Sequence, residues 1–243
     1  MGIWIVLSNN IFLTTQIPNT DFSKILITPH SRCLNPVNHP KVITLLTNKT
    51  ICPIGNNSMS SERDTLLHPR RHWSRDEVLR NPSPVPKKPG VYGWYFKQIP
   101  PGVPTDGCVN FEGLTLLYVG IAPQKPTRTG KKSKQNLCTR LRFHYDKGPS
   151  DGSTLRLSLG CLLSEKLRIH LQRWEGSTSL TFSDGEQILS SWMGENAFVT
   201  WVVTDCPWIL DEELIRIISL PLNLQGDDRH LFYIHLKGIR KAY

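Results

Sequence analysis

The chain has 243 residues, of which 39% are hydrophobic and 20% charged, and a formal net charge of +9 at pH 7. A single hydrophobic core serves up to about 250 residues, so this length suits one domain with or without an appended segment, and the composition excludes wholesale disorder. The excess of lysine and arginine favours a polyanionic partner, nucleic acid first, because cations that neutralise phosphates gain from counterion release.

Residues 1–58 hold Asp21 as their only acidic residue, are crowded with Ile, Asn and Thr, and show no sustained period. They read as a disordered extension or as lying upstream of the true start, since Met59 opens a plausible N-terminus. Residues 59–88 follow as an N-terminal helix and linker. Ser74 and Glu77 stand at capping-box spacing, and the proline-rich stretch from Asn81 to Pro86 stops the helix. Residues 89–243 carry the main domain.

Two short aromatic and β-branched runs, residues 91–96 and 116–121, are bounded by Pro and Gly and read as strands. The loop between them is rich in turn formers and long for a hairpin. Residues 125–134 carry Lys125, Arg128, Lys131, Lys132 and Lys134 in a Gly/Pro context, which suits a phosphate backbone. Asn136 caps a helix whose Leu137 and Leu141 form the apolar stripe. Arg140 and His144, four apart, share an adjacent face of that helix.

Ser153 caps a leucine-rich core helix from which Arg156 is a candidate DNA contact. Residues 167–174 alternate weakly as a strand, Ser183 and Glu186 have capping-box spacing before another helix, and residues 197–204 form a third clear strand. Asp205 and Pro207 mark the turn into a helix beginning at Asp211. A last helix near the C-terminus packs through Leu231, Ile234 and Leu236.

Gly90-Val91-Tyr92 on one strand, Tyr118-Val119-Gly120 on the next, then Arg140 and His144 on a helix, resemble in order the GIY-YIG endonuclease family. Either triplet alone recurs by chance; the ordered set carries the resemblance, over residues 89–223. It implies an α+β fold, broadly of the α/β class, with a small mixed three-stranded β-sheet flanked by helices. It also implies a single divalent ion, Mg2+ or Mn2+, on a carboxylate of a later helix. Counting back from Asn223, with Leu214 and Ile215 as the apolar pair, puts that carboxylate at Asp211, where the family has Glu. A one-residue shift in helix phase restores a glutamate at Glu212, so the ligand is Asp211 or Glu212, with Glu213 a weaker third.

The roles implied by the resemblance are Tyr92 as general base on water and Tyr118 as support for the nucleophile or scissile phosphate. Arg140 stabilises the transition state, His144 relays a proton or orients Tyr92, and Asn223 closes the site. The expected function is a metal-dependent endonuclease hydrolysing DNA. The alternative is a DNA-binding module of the same fold that has lost cleavage, with Asp211 the trace of that loss. The six cysteines show neither Cys-x-x-Cys pairing nor companion His pairs, which argues against a structural zinc. No apolar run reaches the roughly 20 residues that cross a bilayer, and residues 3–7 lack a basic flank and cleavage site, so a cytoplasmic protein with no membrane partner is expected.

Overall fold

The computed structural model describes residues 3–7, 10–14, 56–125, 133–146, 150–224 and 230–241. The chain divides into two units, Met1–Ile51 and Cys52–Tyr243. In the first, β1 (Ile3–Leu7) and β2 (Asn10–Thr14) pair antiparallel, with Ile3 opposite Thr14 and Leu7 opposite Asn10.

The second unit opens with helices α1 (Asn56–Leu67) and α2 (Arg75–Leu79). The capping box at α2 is formed: the Ser74 side chain accepts from the Glu77 backbone and Glu77 Oε2 accepts from the Ser74 backbone at 2.9 Å. Strands β3 (Gly90–Phe96), β4 (Asn110–Phe111) and β5 (Leu114–Ala122) follow. Next come α3 (Leu137–Tyr145), α4 (Thr154–Leu162) and α5 (Ser164–Leu167). The short pair β6 (Gln172–Arg173) and β7 (Leu180–Thr181) precedes α6 (Gly185–Asn196), β8 (Ala197–Val203), α7 (Pro207–Ile217) and α8 (Tyr233–Ile239).

The α+β class and the flanking helices agree with expectation, while the sheet has four strands in the order β4-β5-β3-β8, not three. Its pairs are antiparallel throughout and not mixed. The extra strand comes from the loop after β3, which folds back through Glu112 and Gly113, both at positive φ (53° and 76°). Two left-handed residues in a two-residue connection match the twist of the strands they join.

Central β3 is buried on both faces, which explains why its run is almost wholly apolar. With side chains alternating along the strand, Tyr92, Trp94 and Phe96 face one core cluster together with Leu141, Leu155 and Met193 from α3, α4 and α6. Val91 and Tyr95 face the other, with Leu66 of α1 and Leu210 and Leu214 of α7. Leu137 and Leu141 of α3 are fully buried, each such side chain contributing about 1.5–3 kcal/mol.

Four local expectations change. Ser183 lies at φ 49° and α6 has no side-chain cap, because Glu186 turns to Arg156, Ser150 and the Phe182 backbone. Only Gln172–Arg173 of residues 167–174 is a strand. Helix α7 starts at Pro207, whose fixed φ suits the first turn, four residues before Asp211. In α8 Leu236 packs, but Leu231 and Ile234 are 98% and 79% exposed, because the buried stripe runs through Phe232 and Leu236, one helical turn apart. No helix among the described residues is long and apolar enough to cross a membrane.

Candidate active site

The site begins with two glycines. A Cβ at Gly120 would stand 2.6 Å from the Tyr92 hydroxyl oxygen, so the Tyr92 ring lies over the bare backbone of the neighbouring strand. A Cβ at Gly90 would collide with the Val202 carbonyl and approach Leu137 Cδ1 at 2.7 Å, so the absence of a side chain there lets β8 and α3 close on the start of β3. Both glycines of the paired triplets are thus required by close approach rather than by backbone conformation. Tyr92 is directly opposite Gly120, and Tyr118 is opposite Trp94. Both phenols therefore rise from the same sheet face, on the diagonal of the pair.

Over that face lies α3. Asn136 caps it, accepting from the Thr139 backbone at 3.0 Å while Thr139 Oγ1 accepts from the Asn136 backbone at 3.0 Å. With Leu137 and Leu141 on the core, Arg140 and His144 both reach Tyr92. His144 Nε2 is 2.8 Å from the Tyr92 hydroxyl, and Arg140 Nε donates to the same oxygen at 3.4 Å. Arg140 Nη1 also donates to the Gly152 carbonyl at 3.2 Å. The His144 ring sits among Tyr92, Trp94 and Tyr118, with centroids 5.5, 5.7 and 6.5 Å away.

Burial sets the protonation states first. Tyr92 is pushed upward by burial against the opposing pull of Arg140, and Tyr118 is pushed up by burial and then by Tyr92. His144, fully buried, is held well below its ordinary value by burial and then by the positive charges of Arg140 and Arg156, so the imidazole is neutral. The phenols are protonated at neutral pH for the same reason.

The three acidic residues at the middle of α7 turn three ways. Asp211 lies close enough for its charge to raise both Tyr92 and Tyr118. Its own carboxyl is pushed up to about 7, by burial and then by Glu212, and it accepts no side-chain hydrogen bond among the described residues. Glu212 is exposed and pairs with Lys125 at 2.6 Å. Glu213 pairs with Arg63 of α1 at 3.0 Å. Successive residues on a helix are rotated by about 100°, so only one of three neighbours can face a given site. Among the described residues no group of three or more His, Cys, Asp or Glu forms a metal cage.

Asn223 is nearly fully buried, and both ends of its amide are engaged: Oδ1 accepts from the Val119 backbone at 2.9 Å and Nδ2 donates to the Val119 carbonyl at 3.0 Å. It continues the ladder along the edge of β5 beyond the two residues that β4 covers, next to Tyr118. Arg156, expected to reach out to DNA, is instead 2% exposed. Its guanidinium bonds the His144 carbonyl at 3.1 Å, Ser190 Oγ at 3.0 Å and Glu186 Oε2 at 2.7 Å. An arginine on an otherwise leucine-rich helix was the sequence signal for that buried ion pair. Ser153, expected only as a cap, also places Oγ 2.7 Å from His144 Nδ1. Of the basic segment 125–134, residues 126–132 lie outside the described residues, and Lys134 is exposed.

A family model described as GIY-YIG catalytic domain matches residues 90–242, from the first residue of β3 to beyond α8. No curated protein and no solved structure matches the chain.

Proposed function

The chain belongs to the GIY-YIG catalytic-domain family, which makes it nuclease-type with a nucleic acid substrate, and from that premise we propose a divalent-metal-dependent endonuclease that hydrolyses DNA phosphodiester bonds. One observation carries this reading: a single phenol oxygen, on Tyr92, is flanked by the guanidinium of Arg140 and the imidazole of His144. A buried tyrosine kept for packing needs only an acceptor for its proton; Tyr92 has a fixed cation at its oxygen.

In the proposed reaction Tyr92 first gives its proton to solvent; the water oxygen then forms a bond to phosphorus, its proton passes to the Tyr92 phenolate oxygen, and the bond to the leaving nucleoside oxygen breaks. The leaving oxygen is protonated from solvent. A tyrosine base is demanding, since its unperturbed pKa is about 10 and burial raises that of Tyr92 further. Arg140 at its oxygen opposes that rise without cancelling it and favours the phenolate once it has formed. Arg140, partly exposed, also faces the charge that grows on the phosphoryl oxygens. Tyr118, on the same sheet face, positions the nucleophile or phosphate. Asn223 acts through Val119 and positions Tyr118.

Asp211 is the proposed metal ligand. Its donor type suits a hard ion such as Mg2+ or Mn2+, and a part-buried carboxyl raised to about 7 with no cation partner among the described residues is the kind of group such an ion would relieve. Glu212, exposed beside it, is the second candidate. A divalent ion there would supply charge neutralisation at the phosphate and at the leaving oxygen. One protein carboxylate is enough when waters and phosphate oxygens complete the shell. Lys125 and Lys134, the two ends of the basic segment 125–134, are proposed to meet the DNA backbone.

The test is cleavage of supercoiled, branched and single-stranded DNA with Mg2+, with Mn2+ and with chelator, beside Arg140→Ala. Metal-dependent cutting that vanishes in Arg140→Ala supports the reading. Binding without cutting on every substrate overturns it in favour of a DNA-binding module.

A further inference from the structure

We propose that Glu186 of α6 is a positioning residue for the site: its carboxylate clamps the turn Ser150–Ser153, whose Gly152 carbonyl and Ser153 hydroxyl hold Arg140 and His144 at the Tyr92 oxygen. This role rests on the reading of Tyr92 as the reacting base and adds a residue behind its two neighbours.

Five donors converge on the one carboxylate. Oε1 accepts from the Ser150 N–H at 3.0 Å, the Phe182 N–H at 3.2 Å and Thr181 Oγ1 at 3.3 Å, while Oε2 accepts from Ser150 Oγ at 2.8 Å and Arg156 Nη2 at 2.7 Å. Burial pushes the Glu186 carboxyl up, but Arg156 and the N–H groups of Ser150 and Phe182 hold it below its ordinary value, so it is ionised and accepts at both oxygens. Two of the five donors belong to Ser150, the first residue of a single 3-10 turn, Ser150–Gly152. Ser153 is tied to the same turn, donating its N–H to the Ser150 carbonyl at 2.9 Å.

Helix α3 meets the other side of this turn through Arg140, Phe143 and His144, which neighbour one another on one helix face. Arg140 Nη1 donates to the Gly152 carbonyl at 3.2 Å, and His144 Nδ1 is 2.7 Å from Ser153 Oγ. Between them a Cβ at Gly152 would stand 2.5 Å from Phe143 Cζ, so the ring closes over bare backbone.

Among the described residues no carboxylate pairs with Arg140; its guanidinium is aimed by two acceptors, the Tyr92 oxygen and the Gly152 carbonyl. A displaced turn therefore swings the cation away from the phenol. Arg156 adds a second link from the same carboxylate, because its Nη1 donates to the His144 carbonyl at 3.1 Å. Both neighbours of the Tyr92 oxygen thus lead back to Glu186.

The deciding measurement is the Arg140 Nε–H signal in the nitrogen–proton NMR spectrum of the full chain without DNA, assigned by its loss in Arg140→Lys. Glu186→Gln leaves one acceptor oxygen where two are used. Ser150→Ala removes one link to the turn and keeps the buried Arg156–Glu186 pair, so it tests the clamp even if Glu186→Gln does not fold. In both variants the Arg140 signal should shift and exchange faster with solvent while circular dichroism is unchanged. In the cleavage assay kcat should fall about a hundredfold in Glu186→Gln, the scale of a misplacement of about 1 Å, with KM for DNA unchanged. Ser150→Ala should cost about tenfold in kcat, as partners behind a site side chain do. Glu195→Gln, an exposed acid of the same helix, should alter neither signal nor rate. An Arg140 signal unmoved in Ser150→Ala, or a loss of rate carried by KM alone, overturns the proposal. A signal that moves as expected in a protein that cuts nothing supports the Glu186 assignment and removes the nuclease reading alone.

Discussion

Tyr92 and Tyr95 stand three residues apart on β3, both fully buried, on opposite faces of the sheet. The Tyr95 hydroxyl donates to the Leu66 and Leu67 carbonyls at 2.9 and 3.2 Å, closing the end of α1 onto the sheet. The Tyr92 oxygen instead has the Arg140 guanidinium as a donor and an imidazole nitrogen beside it. Burial raises both phenols, so burial alone does not mark a reactive tyrosine. What separates them is the neighbour at the oxygen. Carbonyls stabilise the phenol, whereas a cation stabilises the phenolate.

That contrast is open to direct attack. Arg140→Ala removes the cation at the Tyr92 oxygen and the charge facing the phosphate, and cleavage should fall by at least about a thousandfold while circular dichroism is unchanged. Tyr92→Phe should cost about a hundredfold to ten-thousandfold in rate with DNA affinity preserved in a binding assay. Its counterpart Tyr95→Phe should leave the rate alone and lower stability by about 0.5–1.5 kcal/mol in denaturant unfolding. Equal rates for the two tyrosine variants would erase the distinction between the faces.

The carboxylates of α7 sharpen it further. Asp211 is raised to about 7, so lowering the pH through neutrality protonates it and divalent-ion affinity should weaken by about tenfold per unit. Above that value affinity should level off. Isothermal titration with Mn2+ across pH 6 to 8, roughly one unit either side of the Asp211 value, reads the slope. Asp211→Asn should abolish binding and slope together, while Glu212→Gln should leave the slope in place. The smallest effect concerns the edge of β5. Asn223→Ala leaves the Val119 backbone groups unpaired and should lower stability by about 1–3 kcal/mol, read as a drop in melting temperature.

Much of this site could be read along the chain because its signals are local. Asn136 and Ser74 precede their helices as caps, and the strand character of residues 91–96 follows from their own side chains. The four-residue spacing of Arg140 and His144 brings both to one oxygen because that spacing is close to a helical turn. Glu186 misled because it had a local partner and a better distant one. It has cap spacing from Ser183 but bonds Arg156 from another helix. Asn223 is tied by both ends of its amide to Val119, 104 positions away, a link that no local pattern carries.

The chain order of Tyr92, Tyr118, Arg140 and His144 indicated which helix and strands bear these four side chains. Only the tertiary structure decided which carboxylate of α7 faces the phenols. That choice depends on the rotation of the helix about its axis, set by Leu210 and Leu214 packing on the sheet and by Arg63 drawing Glu213 to α1. Three adjacent acids are equivalent in sequence; contacts with residues far away in the chain make them different.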